Sequence, residues 1–223
     1  MTGLIDTFFN LQVMLQYLPK VLEGMGITIV LALAVVASGL ALGLALGVLR
    51  SFQIRVLNAL IVLFADVFRA VPPLVILIII YFALPTVGVR FSGFASAWIG
   101  LSLVLAAFAE EIVWAGILSV PRGQWEAARS SGLGFSQALR LVVLPQAVRL
   151  TVAPLTSRAI VITKNTALAS VVAVGEILYQ AQAGYSFSYN PSPLTLGAIA
   201  YLILFVPLVW LGRWVETRFA WKR

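Results

Sequence analysis

Long stretches of apolar residues dominate the chain. Residues 26–49 contain no charged side chain. A helix of this length, which rises about 1.5 Å per residue, can cross a hydrocarbon core about 30 Å thick. Four further apolar stretches follow at 56–84, 95–118, 152–174 and 194–211. The pattern predicts an all-α integral membrane protein with five transmembrane helices.

The second stretch contains two consecutive prolines, Pro72 and Pro73. It is therefore either one kinked helix or two helices. If the prolines divide it, residues 56–71 form a helix of 16 residues. Such a helix is about 24 Å long, which is short for a span.

Basic residues lie mostly on one side of the five-span arrangement. That side holds ten of them, whereas the other side holds two, Lys20 and Arg90. A six-span arrangement would scatter the basic segments over both faces. Because cytoplasmic segments are rich in Lys and Arg, we expect five spans, with the N-terminus outside and the C-terminus in the cytoplasm. The ten residues are Arg50, Arg55, Arg122, Arg129, Arg140, Arg149, Arg213, Arg218, Lys222 and Arg223.

Composition agrees with a membrane protein and removes several functions. The chain is 61% hydrophobic and 10% charged, with mean hydropathy +1.04, whereas soluble domains are about 45–50% apolar and about 25% charged. Because it has no cysteine and no histidine, we expect no disulfide, no metal site and no Ser-His or Cys-His catalytic pair. It also has no Gly-x-x-x-x-Gly-Lys-Ser/Thr loop for a nucleotide. The net charge of +7 then reflects topology rather than nucleic-acid binding.

The first predicted span carries three glycines spaced four residues apart, Gly39, Gly43 and Gly47. Small residues at this spacing form a smooth helix face that another backbone can approach closely. Two interpretations are open: helix packing within this chain, or a contact face for another subunit.

The cytoplasmic loop between the third and fourth spans, residues 121–145, is the most informative segment. Pro121 is placed to end one helix or to begin the next, residues 124–131 suit a short helix, and Gly132 with Gly134 ends it. On chemistry alone, this is either an interfacial loop helix or a helix that docks into a groove on a partner.

This loop resembles the EAA loop of ABC importer permeases, whose pattern is E-A-A-x3-G-x9-I-x-L-P. Every spacing is kept, and Val142 stands where the family usually has Ile. The resemblance implies a coupling helix that sits in a cleft of a cytoplasmic ATPase subunit and transmits its closure to the spans. The residues that match are Glu126, Ala127, Ala128, Gly132, Leu144 and Pro145.

Three other segments resemble the polar amino-acid uptake branch of these permeases. Residues 68–74 are similar to its F-R-x-x-P-x-L signature, residues 109–117 to the acidic stretch of its third span, and residues 164–168 to its K-[DN]-[ST]-[SA]-L segment. The resemblance covers residues 24–213, the transmembrane domain, between a short external segment (1–23) and a basic cytoplasmic tail (214–223). It implies a permease subunit that moves polar amino acids into the cell by alternating access.

The resemblance also implies partners and a location. The expected partners are cytoplasmic ATPase subunits, which bind ATP and Mg²⁺, a second permease subunit of the same or a related sequence, and an external solute-binding protein. The expected location is the inner (cytoplasmic) membrane, in contact with lipid. ATP hydrolysis then belongs to a partner, and this chain is not an enzyme.

Charged residues inside the predicted spans are the candidates for the substrate path. Charges at membrane depth are costly, so they usually face the bundle interior, where they pair or serve a path. Asp66 and Arg69 share a helix face and can neutralise one another. Glu110 and Glu111 lie in the third span, where Glu111 can reach lipid headgroups or Arg122.

Lys164 lies deeper, beside Asn165 and Thr166 in an otherwise apolar span. An amino acid at neutral pH carries an ammonium and a carboxylate. Lys164 and Arg158 suit the carboxylate, Glu110 or Asp66 suits the ammonium, and Asn165 and Thr166 can add hydrogen bonds. The alternative is a polar cluster that only packs helices.

The external loop that follows the fourth span contains Tyr185, Phe187 and Tyr189. These aromatic residues form either a belt at the membrane interface or a docking surface for the solute-binding protein.

Two other classes of function are considered: an ion- or proton-coupled secondary carrier that uses Asp66, Glu110 and Glu111 as relay sites, and a membrane scaffold whose loop helix docks a cytosolic enzyme. The spacing of the EAA motif favours the importer over both.

Overall fold

The computed structural model describes residues 2–219, and every regular element in that range is a helix, which confirms the all-α prediction. Lys222 and Arg223, expected in the cytoplasmic tail, lie outside the described residues. In chain order the α-helices are α1 (Thr2–Phe8), α2 (Leu11–Arg50), α3 (Arg55–Ala70), α4 (Pro73–Ile78), α5 (Gly93–Ser119), α6 (Arg122–Ser130), α7 (Phe135–Ala138), α8 (Leu144–Lys164), α9 (Ile177–Ser188) and α10 (Ser192–Phe219).

Tighter or wider helical turns extend three of these helices. After α4 the chain continues through a π-helical turn, Ile79–Ala83, and a 3₁₀ turn, Leu84–Val87. A π-helical turn, Leu139–Val143, joins α7 to α8. A 3₁₀ helix, Asn165–Val172, prolongs α8. In the described range four helical segments are long and apolar enough to span a membrane, namely those that contain α2, α5, α7 with α8, and α10.

The second predicted span is broken at the two prolines. α3 ends at Ala70, and the next residue, Val71, has an extended backbone with φ −83° and ψ 129°. A residue before proline disfavours the helical conformation, and Pro72 and Pro73 have no N–H to continue the helix. The segments Arg55–Ala70 and Pro73–Val87 are bent by 103°. The predicted count of five spans therefore holds if this bent pair is one span.

The N-terminal segment is helical along most of its length. Asn10 separates α1 from α2, and its Oδ1 accepts a hydrogen bond from the Val13 N–H at 3.1 Å. An asparagine at this position is a favourable start for a helix, because its side chain satisfies one of the open N–H groups of the first turn. From there α2 runs for 40 residues with Pro19 inside it. The expected domain boundary at residue 24 is not an element boundary.

Contacts divide the chain into two compact units, which we call the first unit and the second unit. Each contains three separate stretches of chain. The first unit is the chain up to Val36, Pro72–Leu101 and Val161–Trp210, and the second unit is Ala37–Val71, Ser102–Ile160 and the chain from Leu211.

Each unit has its own buried apolar cluster. In the first unit, Val21 of α2 packs against Ile177 of α9 and against Leu196 and Ala200 of α10. In the second unit, the cluster joins the end of α5 to the segment that enters α8. Its buried members are Val113, Ile117, Val120, Leu139, Val143 and Ala147.

Candidate functional site

The loop that resembles the EAA motif begins with a short helix, α6. Pro121 precedes α6, as suits a residue whose fixed φ and missing N–H are tolerated where a helix begins. Gly132 follows its end with φ +85°, a left-handed conformation that glycine adopts at no steric cost. The predicted short helix over 124–131 is confirmed, although it begins two residues earlier and ends one residue earlier.

α6 has one face toward its own unit and one face outward. Ala128 is 6% exposed, and Trp125 packs against the apolar cluster of the second unit. Glu126 and Ala127 are exposed. The motif therefore presents a carboxylate and a small side chain to the surroundings, where another protein can contact them.

The second half of the loop is tied to the first. Gln146 Nε2, in the first turn of α8, donates to the Val142 carbonyl at 2.8 Å and to Gln124 Oε1 at 3.4 Å. Leu144 packs against the apolar cluster, whereas Pro145 is exposed. These contacts connect the start of α8 with α6.

The three glycines of α2 face α5 within the second unit. A Cβ atom on Gly43 would lie 2.4 Å from Ala109 Cβ, and one on Gly39 would lie 2.8 Å from Leu105 Cβ. A Cβ atom on Gly47 meets the same helix at 2.8 Å. The stripe is thus used for packing inside this chain, which is the first of the two interpretations left open by the sequence.

Glu110 is fully buried and is paired with an arginine from α2. Arg50 Nη1 lies 2.9 Å from Glu110 Oε1, and the Arg50 guanidinium lies 5.0 Å from the centroid of the Trp114 ring. In the sequence, Arg50 is a marker of the cytoplasmic side, and this pairing is not evident. Helical spacing could have indicated the pairing, because Arg50 lies on the same face of α2 as Gly43 and Gly47, which face α5.

Arg69 pairs with Glu111 of α5 rather than with Asp66, the partner that the sequence offered on the same helix face. Arg69 Nη1 lies 2.8 Å from Glu111 Oε2. The Arg69 guanidinium is 5.7 Å from the centroid of the Phe108 ring, and the Arg158 guanidinium is 3.9 Å from it. Asp66 is exposed. Two cations therefore share one aromatic ring, an arrangement stabilised by the ring's quadrupole and by the nearby carboxylate.

The remaining substrate candidates lie where α8 passes into the 3₁₀ helix. Lys164 is exposed, and Asn165 is half-buried. Thr166 is buried and its hydroxyl donates to the Thr163 carbonyl at 2.7 Å. These residues belong to the first unit, whereas four other candidates belong to the second unit: Asp66, Arg69, Glu110 and Arg158.

A buried carboxyl in the first unit is a feature that the sequence alone does not reveal. Along the sequence, Glu176 comes after the candidate span Phe135–Val172 and before the candidate span Ser192–Arg218, so it lies outside both. Its Oε1 accepts the Tyr179 N–H at 2.8 Å, where α9 begins, and the Tyr201 hydroxyl donates to Oε2. Burial raises the pKa of the Glu176 carboxyl, and these hydrogen bonds oppose that rise. The residue fixes the start of α9.

The aromatic residues near the end of α9 are exposed. The exposed fraction is 46% for Tyr185, 78% for Phe187 and 91% for Tyr189. Such exposure suits both the interfacial belt and the docking surface.

Acidic side chains in the described range 2–219 do not gather into a group that could hold a metal ion.

A family model described as "binding-protein-dependent transport system inner membrane component" matches residues 39–221. The match includes the glycine stripe, the whole loop around α6, and Arg50, Arg69 and Arg158. The chain belongs to this family.

Sequence relatives extend over nearly the whole chain. A protein of Bacillus subtilis described as the probable amino-acid ABC transporter permease protein YckA is 34% identical over 206 residues, which are 92% of this chain and 91% of the relative. The arginine transport system permease protein ArtQ of the same organism is 30% identical over 203 residues, 90% of this chain and 93% of the relative.

Solved structures have the same fold. A crystal structure of an amino acid ABC transporter with histidines matches with a TM-score of 0.84 and 30% identity, and the match covers 92% of this chain and 96% of the other. The MetNI methionine ABC transporter in an inward-facing conformation matches with a TM-score of 0.72 at 24% identity, over 92% and 97% of the two chains. The chain is thus a multi-pass membrane protein of the ABC transporter permease type.

Proposed function

We propose that this chain is the membrane-spanning permease subunit of an ATP-driven importer for polar amino acids. One observation carries the proposal: the spaced EAA residues form an exposed helix, α6, that is ended by Gly132 in a left-handed conformation. The relatives whose descriptions name amino acids, YckA and ArtQ, support the substrate class.

The proposed mechanism is alternating access driven by a separate subunit. ATPase subunits bind ATP and Mg²⁺ in the cytoplasm and close on each other. α6 is docked in a cleft of the ATPase through Glu126 and Ala127, whereas Ala128 holds α6 to its own unit, so closure displaces α6. Leu144 and Pro145 begin α8, to which α6 is joined, and the spans then change between inward-open and outward-open states. This chain forms no covalent bond to its substrate.

The proposal includes further partners and an orientation. A second permease subunit, identical or related, completes the path, and an external solute-binding protein delivers the amino acid. The N-terminus lies outside the inner membrane, and the basic tail (214–223) lies in the cytoplasm. The basic residues expected on the cytoplasmic side support this orientation.

We propose that the substrate path uses the charged and polar candidates named from the sequence. Arg158, Arg69 and Lys164 suit a carboxylate, and Asp66 is an exposed carboxylate available to an ammonium. Asn165 adds hydrogen-bonding capacity. Glu110 is less suited to a ligand, because it is buried against Arg50.

Ion pairing argues against a proton-coupled carrier. Two of the three acids proposed as relay sites, Glu110 and Glu111, are held by Arg50 and Arg69. A relay acid has to be free to exchange partners during the cycle, whereas these two carboxylates are already engaged in ion pairs.

The test is uptake by the complete complex, with its ATPase subunit, in lipid vesicles that contain ATP. We expect Glu126→Ala and Gly132→Val to insert normally but to reduce uptake more than tenfold relative to ATP hydrolysis, on the scale of a lost docking contact. Ser130→Ala is the matched control, because Ser130 is exposed on the same helix and lies outside the motif. Normal uptake by both motif variants, or a chain that never retains an ATPase subunit, contradicts the proposal.

A further inference from the structure

Three aromatic rings connect the coupling loop to the turn between α2 and α3. The Phe135 ring, at the start of α7, stacks on Trp125 of α6 with centroids 5.4 Å apart and planes at 21°. It also makes an edge contact with Phe52, with centroids 5.6 Å apart and planes at 64°. We call these three residues the aromatic bridge. All of them belong to the second unit.

Both ends of the aromatic bridge are fixed to larger elements. Trp125 packs against the apolar cluster of the second unit. Phe52 follows α2 directly, and its N–H donates to the Leu49 carbonyl at 3.2 Å. The neighbouring Ser51 hydroxyl donates to the Gly47 carbonyl at 3.3 Å. A displacement of the Phe52 backbone is therefore a displacement of the end of α2.

The rings of Phe52 and Phe135 have room to move. The exposed fraction is 41% for Phe52 and 38% for Phe135, so neither ring is a core residue. A cavity of about 350 Å³ lies beside them, with Ser51, Gln53 and Trp125 among its lining residues. The rings can change their contact without opening the apolar cluster.

We propose that the aromatic bridge transmits the displacement of α6 to the α2–α3 turn and so sets how much solute is imported per ATP hydrolysed. Phe52 and Phe135 are positioning residues, since they act through α2 and α6. The inference rests on the proposed function and deepens it. It adds to the connection through α8 a second path, which ends on the helix that carries the glycine stripe and Arg50.

The experiment compares Phe52→Leu, Phe135→Leu and the double variant in the reconstituted complex with its ATPase subunit. Uptake and ATP hydrolysis are measured in the same vesicles. We expect each single variant to lower the solute imported per ATP by roughly two- to tenfold, the scale of one aromatic pair. Because both rings serve one contact, we expect the double variant to import no less solute per ATP than the more severely affected single variant. Phe135→Tyr keeps the ring and restores the ratio.

Phe82→Leu is the matched control. Phe82 is 55% exposed and makes an edge contact with Tyr81 at 4.8 Å, but it belongs to the first unit. We expect this variant to keep the wild-type ratio.

Three results overturn the inference. A wild-type ratio in both leucine variants shows that the aromatic bridge does not transmit, while ATP-driven uptake by the wild type leaves the proposed function intact. Loss of the ATPase subunit from the purified Phe135→Leu complex shows a docking contact instead. Absence of ATP-driven uptake in the wild-type complex overturns the proposed function and this inference together.

Discussion

At the residue scale, the Arg50–Glu110 pair of the second unit is more deeply buried than the Arg69–Glu111 pair. Glu110 has no exposed surface, and Arg50 is 22% exposed at its side chain. Removing one partner of such a pair leaves an uncompensated charge away from water, whereas removing both leaves none. The pair therefore differs from the ion pair of Lys20 and Glu23, whose side chains are 63% and 56% exposed.

We predict that Arg50→Gln lowers the free energy of unfolding by about 3–5 kcal/mol, and that adding Glu110→Gln restores most of the loss. Lys20→Gln, the control, costs about 0–1 kcal/mol because water screens that pair. Thermal unfolding of the detergent-solubilised protein measures all three variants. Equal melting temperatures for Arg50→Gln and Lys20→Gln would contradict the prediction.

The titration of Glu176 makes the folding stability of the protein depend on pH. Burial raises the pKa of its carboxyl above the ordinary value of 4.5. Below pH 4.5 the carboxyl is protonated in both the folded and the unfolded chain. As the pH rises, the unfolded chain releases its proton at a lower pH than the folded chain does. The free energy of unfolding therefore falls with pH until the pH passes the pKa of the folded state.

We predict that Glu176→Gln, which does not titrate, gains stability relative to the wild type as the pH rises above 4.5. The measurement is the melting temperature of both proteins at a series of pH values. The difference, variant minus wild type, is expected to increase with pH. A difference that is constant or decreases would show that burial does not control this carboxyl.

Single residues were partly predictable from the sequence. The charges at membrane depth stand out because the spans are otherwise apolar. The partners of these charges cannot be identified in the same way, because the rule that residues three or four apart are neighbours applies only within one helix. It pairs Arg69 with Asp66, whereas the actual partner, Glu111, comes from α5. Contacts between helices depend on packing, which one sequence does not specify.

At the element scale, the approach of α2 to α5 depends on the glycine stripe. Gly43 is its tightest position, with Ala109 Cβ 2.4 Å and the Ala106 carbonyl oxygen 2.8 Å from an added Cβ. Gly26 lies in the same helix and has no atom within 4 Å of such a Cβ. The two positions form a matched pair within one element.

We predict that Gly43→Leu lowers the free energy of unfolding by about 1–3 kcal/mol or more, because the added atoms force the helices apart. Gly26→Leu is expected to change it by no more than about 0.5 kcal/mol. Melting temperatures of the purified variants distinguish the two. If the two variants have the same melting temperature, the glycine stripe does not control the packing of α2 on α5.

Elements marked by proline and glycine were the most predictable. Pro121 and Gly132 delimit α6, and Pro72 with Pro73 ends α3, since both residue types restrict the backbone in known ways. The helices before residue 24 were not expected as helices. Pro19 and the charged Lys20 and Glu23 interrupt the apolar pattern there, yet α2 continues through them.

At the scale of the whole molecule, the orientation in the membrane is open to a direct test, because the chain contains no cysteine. Single cysteines can therefore be placed at Phe187, which is 78% exposed, and at Ser136 of α7, which is also exposed. We predict that a membrane-impermeant maleimide labels Phe187→Cys from outside the cell and Ser136→Cys in inverted vesicles. The wild-type chain controls for background, and the reverse pattern would contradict the proposed orientation.

The proline break after α3 has a consequence for what surrounds the chain. In an unbroken helix the carbonyls of Phe68 and Arg69 would accept hydrogen bonds from the N–H groups at positions 72 and 73, and prolines have none. An open carbonyl in hydrocarbon costs several kcal/mol. Lipid tails have no donor groups, so they cannot satisfy the Phe68 and Arg69 carbonyls at the end of α3. A donor from water, from a neighbouring protein or from another part of this chain has to replace the two missing N–H groups, so the two prolines mark a place where the backbone needs a partner other than lipid.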